Sequence, residues 1–436
     1  MRFLISILTL MTFMSHATTP LQKYTLDNGL KIIVKEDHRA PVAISMIWYN
    51  IGSADEPGGI TGVSHALEHM MFKGTHDYPT GTFSQTIAKR GGQENAMTNY
   101  DYTAYFEKIA AVELPIALKL EADRMHNLIF APDEFNKEIK VIQEERRLRT
   151  EDNPQALTLE RYLATAHLSE PYQHPIIGWM GDLQEMKLND VKTWYQHFYA
   201  PNNATLVVVG DVSGQQVYDL AKLYFNEIPR QPNYIRKKQV EPPSMGAKRV
   251  DINKPAQLPV IMMGYTTPTV TTAKEPWEPY ALELAAGILN AGDSSRFAKN
   301  LIRGAHVANA AEVYYNLYAR YQTQFILIGI PTPNYSTDRL KQIFLQEISR
   351  LQRELISDAE LDRIKTQIIA QKTFEKDSMF GQAMEIGLLE TLGLNAESAN
   401  HYTDQIKQVT AQQIQAVTQR YFIEKNMTEA RLTPSK

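Results

Sequence analysis

Two histidines four residues apart, with a glutamate directly before the second, stand in the stretch HALEHMMFKGT, His65 to Thr75. On a helix, His65 and His69 fall one turn apart on one face, where both imidazoles reach a single ion. Glu68 then lies beside that ion without ligating it, placed to address a bound water. The order H-x-x-E-H inverts the commoner H-E-x-x-H and is the inverzincin signature. Two imidazoles do not complete a catalytic zinc, which takes three protein ligands and keeps a fourth position for water. A third ligand therefore has to come from elsewhere in the chain. The same pentapeptide also occurs on ordinary amphipathic helices with surface histidines, so by itself it leaves both readings open.

The elements that must carry these residues are legible around them. The metal reading requires ITGVSHALEHMMFKG to be a helix, and helical periodicity follows in VELPIALKLEADRMHNLIF and DEFNKEIKVIQEERRLR, the last with Phe135, Ile139 and Ile142 at i, i+4 and i+7. Upstream, residues 24–52 alternate apolar runs around an Asn28-Gly29 turn, which predicts a hairpin of strands. NATLVVVGDVS predicts a buried strand ended by Gly210 and Asp211. The stretch PRQPNYIRKKQVEPPSMGAK, from Pro229 to Lys248, is rich in Pro and Lys and poor in apolar residues. It predicts a linker over residues 231–248 between an N-terminal domain, 18–230, and a C-terminal domain, 249–436. The second half repeats the style of the first: a strand pair around LPVIMMGYTTP, a helix from Trp277 to Leu289, a strand at FILIGIPTP, then long helices. The fold class expected is α+β, with helices covering one face of a mixed sheet in each half, and an internal duplication is plausible without any identical stretch.

Composition narrows the function classes. With 436 residues, 43% hydrophobic and 22% charged, the chain is ordinary globular protein of two or three domains. A net charge of −4 argues against a nucleic-acid partner, which needs a concentrated excess of Lys and Arg. Cysteine is absent, which excludes disulfides, thiolate nucleophiles and Cys-type metal sites. MRFLISILTLMTFMSHATTP opens with one Arg, a short apolar run and a small-x-small site ending at Ala17. That is the pattern of a secretory signal peptide over residues 1–17, and the apolar run is too short for a stable membrane anchor. The GGITG stretch before His65 lacks the Lys of a P-loop, so phosphate cradling is not expected.

Outside the pentapeptide, LDNGLKIIV, YNIGSADEPGGITGVSHALEHMMFKGT, GGQENAMTNYDYTAYF, PYQHPIIGWMGDL and YAPNNATLVVVGD follow one another along the chain. In content and order this series resembles the pitrilysin and mitochondrial processing peptidase family of inverted zinc peptidases, from about Leu21 to Gln419. The resemblance implies two homologous domains, each a mostly antiparallel sheet covered by helices, closing as a clam-like chamber. It implies one Zn2+ held by His65, His69 and a glutamate on a later helix. Seventy-five residues intervene between His69 and Glu145, the family's spacing, whereas neighbouring Glu144 would point about 100° away on a helix. Glu138, two turns before Glu145, matches a carboxylate that orients a ligand. Glu68 matches the general base of an endopeptidase, and Asn95, Ala96 and Thr98 match an edge strand that pairs with an extended peptide.

One segment departs from the family pattern. Self-sufficient members carry an Arg and a Tyr seven residues apart in the C-terminal half; here Arg303 fits the Arg, but Ala310 stands seven residues on, and Tyr314 and Tyr315 are displaced. This implies a heterodimer with a relative that supplies the pair, a homodimer being the other form expected, with peptides or unfolded proteins as substrates. The alternative is a non-catalytic peptide-binding or scaffold subunit, though such chains tend to lose the metal residues that all stand here. The leader and the bacterial branch of the resemblance together imply an exported, periplasmic protein.

Overall fold

A computed structural model describes residues 20–237 and 239–435 of the chain; the expected signal peptide, 1–17, lies outside them. The first half forms strands β1 (Gln22–Thr25), β2 (Lys31–Glu36), β3 (Val42–Tyr49), β4 (Gln93–Thr98), β5 (Thr103–Ala110) and β6 (Ala204–Gly210). Its helices are α1 (Val63–Met70), α2 (Thr82–Lys89), α3 (Leu114–Asn127), α4 (Pro132–Arg146), α5 (Pro154–Ala166), α6 (Met180–Glu185), α7 (Leu188–Phe198) and α8 (Gly214–Phe225). The second half adds β7 (Lys248–Pro255), β8 (Val260–Thr267), β9 (Ala308–Tyr314), β10 (Thr323–Pro331) and β11 (Met427–Ser435). Its helices are α9 (Glu278–Asn290), α10 (Thr337–Arg353), α11 (Asp358–Asp377), α12 (Met379–Thr391), α13 (Tyr402–Gln408) and α14 (Ala411–Tyr421).

The Asn28-Gly29 turn does close a hairpin, β1 on β2, with Gly29 at φ +94° and Leu26 N–H donating to the Leu30 carbonyl. Strand β3 is not part of it. β6 inserts between β2 and β3, parallel to the first and antiparallel to the second, giving the order β1-β2-β6-β3-β5-β4. The second sheet reads β7-β11-β8-β10-β9. Setting β1 aside, both sheets place their first, fifth, second, fourth and third strands side by side, and in each the first and fifth are parallel. The duplication that no sequence identity displays is thus carried by topology. The strand pair expected around LPVIMMGYTTP is likewise opened, since β11 lies between β7 and β8.

Both faces of each sheet are buried, and this decides how the halves join. Along β3, Ala43, Ile47 and Tyr49 pack with α1, α3, α7 and α8, while Ile44, Met46 and Trp48 face the other way. That second face is covered by Ala383 and Ile386 of α12, a helix of the other half. The exchange is mutual: Tyr162 and Ala166 of α5 cover Ile252, Val260, Met262 and Ile326 of the second sheet. A strand buried on both faces reads as a continuous apolar run, which explains why VAISMIWY and VIMMGYTT show no clean alternation.

Each exchanged contact is closed by a glycine. A Cβ at Gly387 of α12 would stand 2.0 Å from the Trp48 ring, and one at Gly264 of β8 would stand 2.3 Å from the Tyr162 hydroxyl. Gly387→Ala is therefore expected to lower stability by about 1–3 kcal/mol through overpacking. Urea unfolding monitored by Trp fluorescence checks this, and an unchanged midpoint would show that α12 and Trp48 are not in contact.

Candidate metal centre

The metal-motif helix is pinned at its start before any ligand is considered. Gly62, at φ +88°, precedes α1, and a Cβ there would meet the Ile177 carbonyl at 2.5 Å. Gly178 answers it from the other side, its Cβ position 2.3 Å from the Thr61 carbonyl. These two glycines let the backbones at 61–62 and 177–178 touch. The orphan amides of α1 are then taken by carboxylates: Glu56 accepts from Gly62 N–H at 2.6 Å and Ser64 N–H at 2.8 Å, and Asp182 accepts from Thr61 N–H and Oγ1. Burial raises the Glu56 carboxyl to about 8, and the Ser64 and Gly62 amides that donate to it oppose that rise.

With α1 so held, His65 and His69 present their Nε2 atoms to one carboxylate on α4. Glu145 Oε2 lies 3.5 Å from His69 Nε2 and 3.9 Å from His65 Nε2. Two ligands of a tetrahedral zinc, each at about 2.0–2.2 Å, stand roughly 3.3–3.5 Å apart. The His69 distance fits the spacing of a zinc ligand set, the His65 distance is slightly open, and all three ligand atoms lie within 4.8 Å of one another. Glu144 points away, exposed and paired with Arg147.

Two further groups hold these ligands from behind. Glu138 Oε2 sits 3.0 Å from His69 Nδ1, and Lys73 Nζ lies 2.6 Å from the other oxygen of Glu138. Accepting the Nδ1 proton fixes the tautomer that leaves Nε2 free to ligate. Arg149, in a π-helical turn over Arg147–Glu151 that continues α4, lies 2.6 Å from Glu145 Oε1 and so commits Oε2 to the histidines. The sequence reading missed Arg149 and Lys73. The signal available for both was i, i+4 spacing, from Glu145 to Arg149 and from His69 to Lys73.

Burial and neighbouring charge divide the titrations. Burial, aided by the His69 charge, pushes His65 down to about 4. Burial works the same way on His69, but the Glu145 and Glu138 carboxylates outweigh it and raise its value. The His69 hydrogen bond holds the Glu145 carboxyl below its usual range. Glu68 is raised by burial, with the Thr98 hydroxyl, which donates to its Oε2, opposing.

His65, Glu68 and Glu145 open on a cavity of about 470 Å3, walled by Ala96, Met97 and Thr98 of β4 and by Leu159 and Leu163 of α5. β4 is the last strand of its sheet, so its outer edge is unpaired. Ala96 N–H points along that edge and is capped by the Asn95 side chain at 2.9 Å, while Asn95 itself does not line the cavity. Thr98 contributes its hydroxyl to Glu68 as well as its place on the edge. Arg303 lies elsewhere: exposed, it donates to the Asp293 carbonyl and lines a separate cavity with Arg296 and Lys299. Tyr315 donates to the Pro268 carbonyl and Tyr314 to Glu312, and neither reaches the cavity at Glu68.

Comparison with known proteins bears on both halves. Residues 31–178 match the family described as Insulinase (Peptidase family M16), and residues 185–368 match the Peptidase M16 inactive domain. The chain is 32% identical to zinc protease PqqE of Helicobacter pylori over 361 residues, 80% of this chain and 79% of that one. It superposes on the crystal structure of a protease from Helicobacter pylori with a TM-score of 0.90 at 28% identity, covering 95% of this chain and all of the other. A peptidase M16 inactive domain from Pseudomonas fluorescens shares the fold at a TM-score of 0.85 and 17% identity, over 96% and 98% of the two chains. With both halves matched in order, and nearly a third of residues identical to PqqE over four fifths of each chain, this protein belongs to peptidase family M16.

Proposed function

We propose that this chain is a zinc-dependent endopeptidase acting on extended peptides and unfolded protein segments, with His65, His69 and Glu145 as the metal ligands. The observation that carries the reading is the convergence of two Nε2 atoms and one carboxylate oxygen on a single point beside a fourth, non-ligating carboxylate, Glu68, in the same cavity. Zinc bound there supplies Lewis acidity toward a scissile carbonyl and a water acidified toward neutral pH.

The chain's own residues do the rest. Glu68 takes the proton of the attacking water and returns it to the leaving amine, so it is base first and acid second. Thr98 holds that carboxylate by its Oε2 and sits on β4, so the strand that receives the substrate also aims the base. An extended peptide adds to the free edge of β4 at Asn95, Ala96 and Thr98, displacing the Asn95 side chain from the Ala96 amide. Main-chain pairing of this kind tolerates many sequences. The leader-like N-terminus supports an exported, periplasmic location, and among the described residues no helix is long and apolar enough to cross a membrane.

A partner completes the site in this reading. Every described residue lining the cavity falls between His65 and Ile177; its cation and phenol, Arg149 and Tyr100, come from the half that holds the ligands, Arg149 is paired with Glu145, and the described residues of the second half add no donor for a developing oxyanion. A heterodimer with a relative bearing the Arg and Tyr pair supplies one, and a homodimer would have to do so with Arg303. The absence of that donor also favours a second reading, a peptide-binding subunit that does not cut.

Three measurements test these assignments. Glu68→Gln is expected to keep about one zinc per chain by metal analysis while peptide hydrolysis falls at least about 100-fold; retained activity would remove Glu68 from the chemistry. Glu138→Ala should weaken zinc affinity about 10- to 100-fold in a chelator competition without unfolding the chain. Adding the Arg/Tyr-bearing relative should raise the rate about 100- to 1000-fold, the usual worth of one transition-state donor. A rate indifferent to any partner would mean the chain works alone, and metal without hydrolysis in either mixture would favour the binding subunit.

A further inference from the structure

The edge strand β4 hangs on the turn that joins it to β5, and that turn is gripped from both halves of the chain. Asn99 N–H donates to the Tyr102 carbonyl at 2.8 Å, which closes residues 99–102 into a tight reversal. Two of its carbonyls are met by the first half: Ser53 N–H donates to that of Asn99 at 3.1 Å and Ala54 N–H to that of Tyr100 at 2.9 Å. Gly52 permits the approach, because a Cβ there would stand 2.4 Å from the Asn99 carbonyl. Asp101, at the tip of the turn, is held from the second half.

The residue that holds it is Arg320, between β9 and β10. Its backbone N–H donates to Asp101 Oδ2 at 3.0 Å, its Nη2 donates to the Asp101 carbonyl at 2.6 Å, and its Nε stands 3.8 Å from Oδ1. The Tyr172 hydroxyl donates to the same Oδ2 at 2.6 Å. The rest of the guanidinium is engaged as well, with Nη1 3.2 Å from Asp55 Oδ2 and Nη2 donating to Asn50 Oδ1 at 3.1 Å. Arg236, from the segment between the halves, reaches Asp55 Oδ2 at 3.2 Å. Two guanidinium groups thus face two carboxylates, and the cluster is balanced in charge. Burial raises the Asp101 carboxyl, and the Arg320 charge leads the groups that oppose the rise. A planar fork can serve Asp101, Asp55 and Asn50 together, whereas the single ammonium of a lysine cannot.

What this grip fixes lies three residues back. Thr98, the last residue of β4, donates its hydroxyl to Glu68 Oε2 at 2.5 Å, and Tyr100, next to Asp101, lines the cavity at Glu68. β4 has a neighbouring strand on one side only, so the place of its last residue depends on the turn that follows. Arg320 itself does not line that cavity.

We propose that Arg320 is a positioning residue for the candidate active site: from the second half it fixes Asp101 and the turn at 99–102, and through that turn it keeps Thr98 on Glu68. The role rests on the peptidase reading, and it gives the half matched to the inactive domain a part in aiming the base. The test compares the full chain with Arg320→Lys, which keeps the charge but loses the fork, and with Asp101→Asn, which loosens the same grip from the other side. Both variants should hold about one zinc per chain, since the ligands sit on α1 and α4, away from the turn. Hydrogen exchange followed by mass spectrometry should show the amides of residues 93–103 opening about tenfold more readily in each variant, with α1 and α4 unchanged. In whichever mixture hydrolyses peptide, with or without the relative, Arg320→Lys should lower kcat about tenfold or more. In a Thr98→Val background the same substitution should cost less than about threefold, because the hydroxyl through which it acts is gone. A purely structural role would lower stability and leave the two losses multiplying. Unchanged exchange in β4 of the folded variants, an unchanged kcat, or losses that multiply would each overturn the proposal. Exchange is read without substrate, so a wild-type chain that cuts nothing while its variants loosen β4 would place the failure in the peptidase reading and not in the grip of Arg320.

Discussion

Each sheet of this protein is apolar on both faces, and the helices of its own half cover only one of them. The first sheet turns Trp48, Met46 and Val207 outward from its own helices, and the second does the same with Met262 and Ile326. Exposed, such faces would be open to aggregation. Exchange of α5 and α12 closes them, and it makes the two halves depend on each other although the described residues of 231–247 form no helix or strand to brace them. One consequence reaches the metal centre. Because α5 is held on the second sheet by Tyr162 and Ala166, its other residues, Leu159 and Leu163, stand as a fixed wall of the cavity at Glu68.

The metal centre itself is a study in how glutamates of one chemistry are given separate duties by their neighbours. Glu56 is spent on two amides at the start of α1 and never sees the cavity. Glu138 is shared between His69 Nδ1 and Lys73, Glu145 between the histidines and Arg149, and Glu68 is left with one hydroxyl partner, Thr98. A carboxylate already engaged on both oxygens cannot leave its post to move a proton. The one with a free oxygen and an unpaired strand edge beside it can, which is why Glu68 and no other member of the group is proposed as the base.

Much of this was legible in the sequence, and the reasons for the rest are physical. His65, Glu68 and His69 announce themselves because helical spacing is local, and α1, α3 and α4 follow from their own periodicity. Glu145 over Glu144 needed the family's spacing, since nothing local separates two adjacent glutamates until one of them meets Arg149. The sheet order was hidden because β6 and β11 come last in their halves and insert at the middle, a non-local pairing that no window of sequence reports. The exchange of α5 and α12 was hidden for a related reason: VAISMIWY says that a strand is buried on both faces but not which helix buries it. A clean linker boundary suggested two self-contained domains, whereas the covers of each sheet cross it.

The duplication turns these points into an argument about asymmetry. If the two halves began from one fold, the constraints on the core should have been kept in both, and they are: the strand order and the exchanged helix recur, though the glycine that seats the helix is Gly387 on α12 in one case and Gly264 on strand β8 in the other. The constraints on chemistry need be kept in only one. On α9, which follows β7 and β8 as α1 follows β2 and β3, the two ligand positions have become Tyr280 and Leu284, residues that serve packing, as the near-complete burial of Leu284 shows. Glu283 has been kept with a different duty: its Oε1 accepts from the Tyr402 hydroxyl at 2.8 Å, which ties α9 to α13. One residue type at one place on a duplicated frame thus stands beside the candidate metal ligands on α1 and braces two helices on α9.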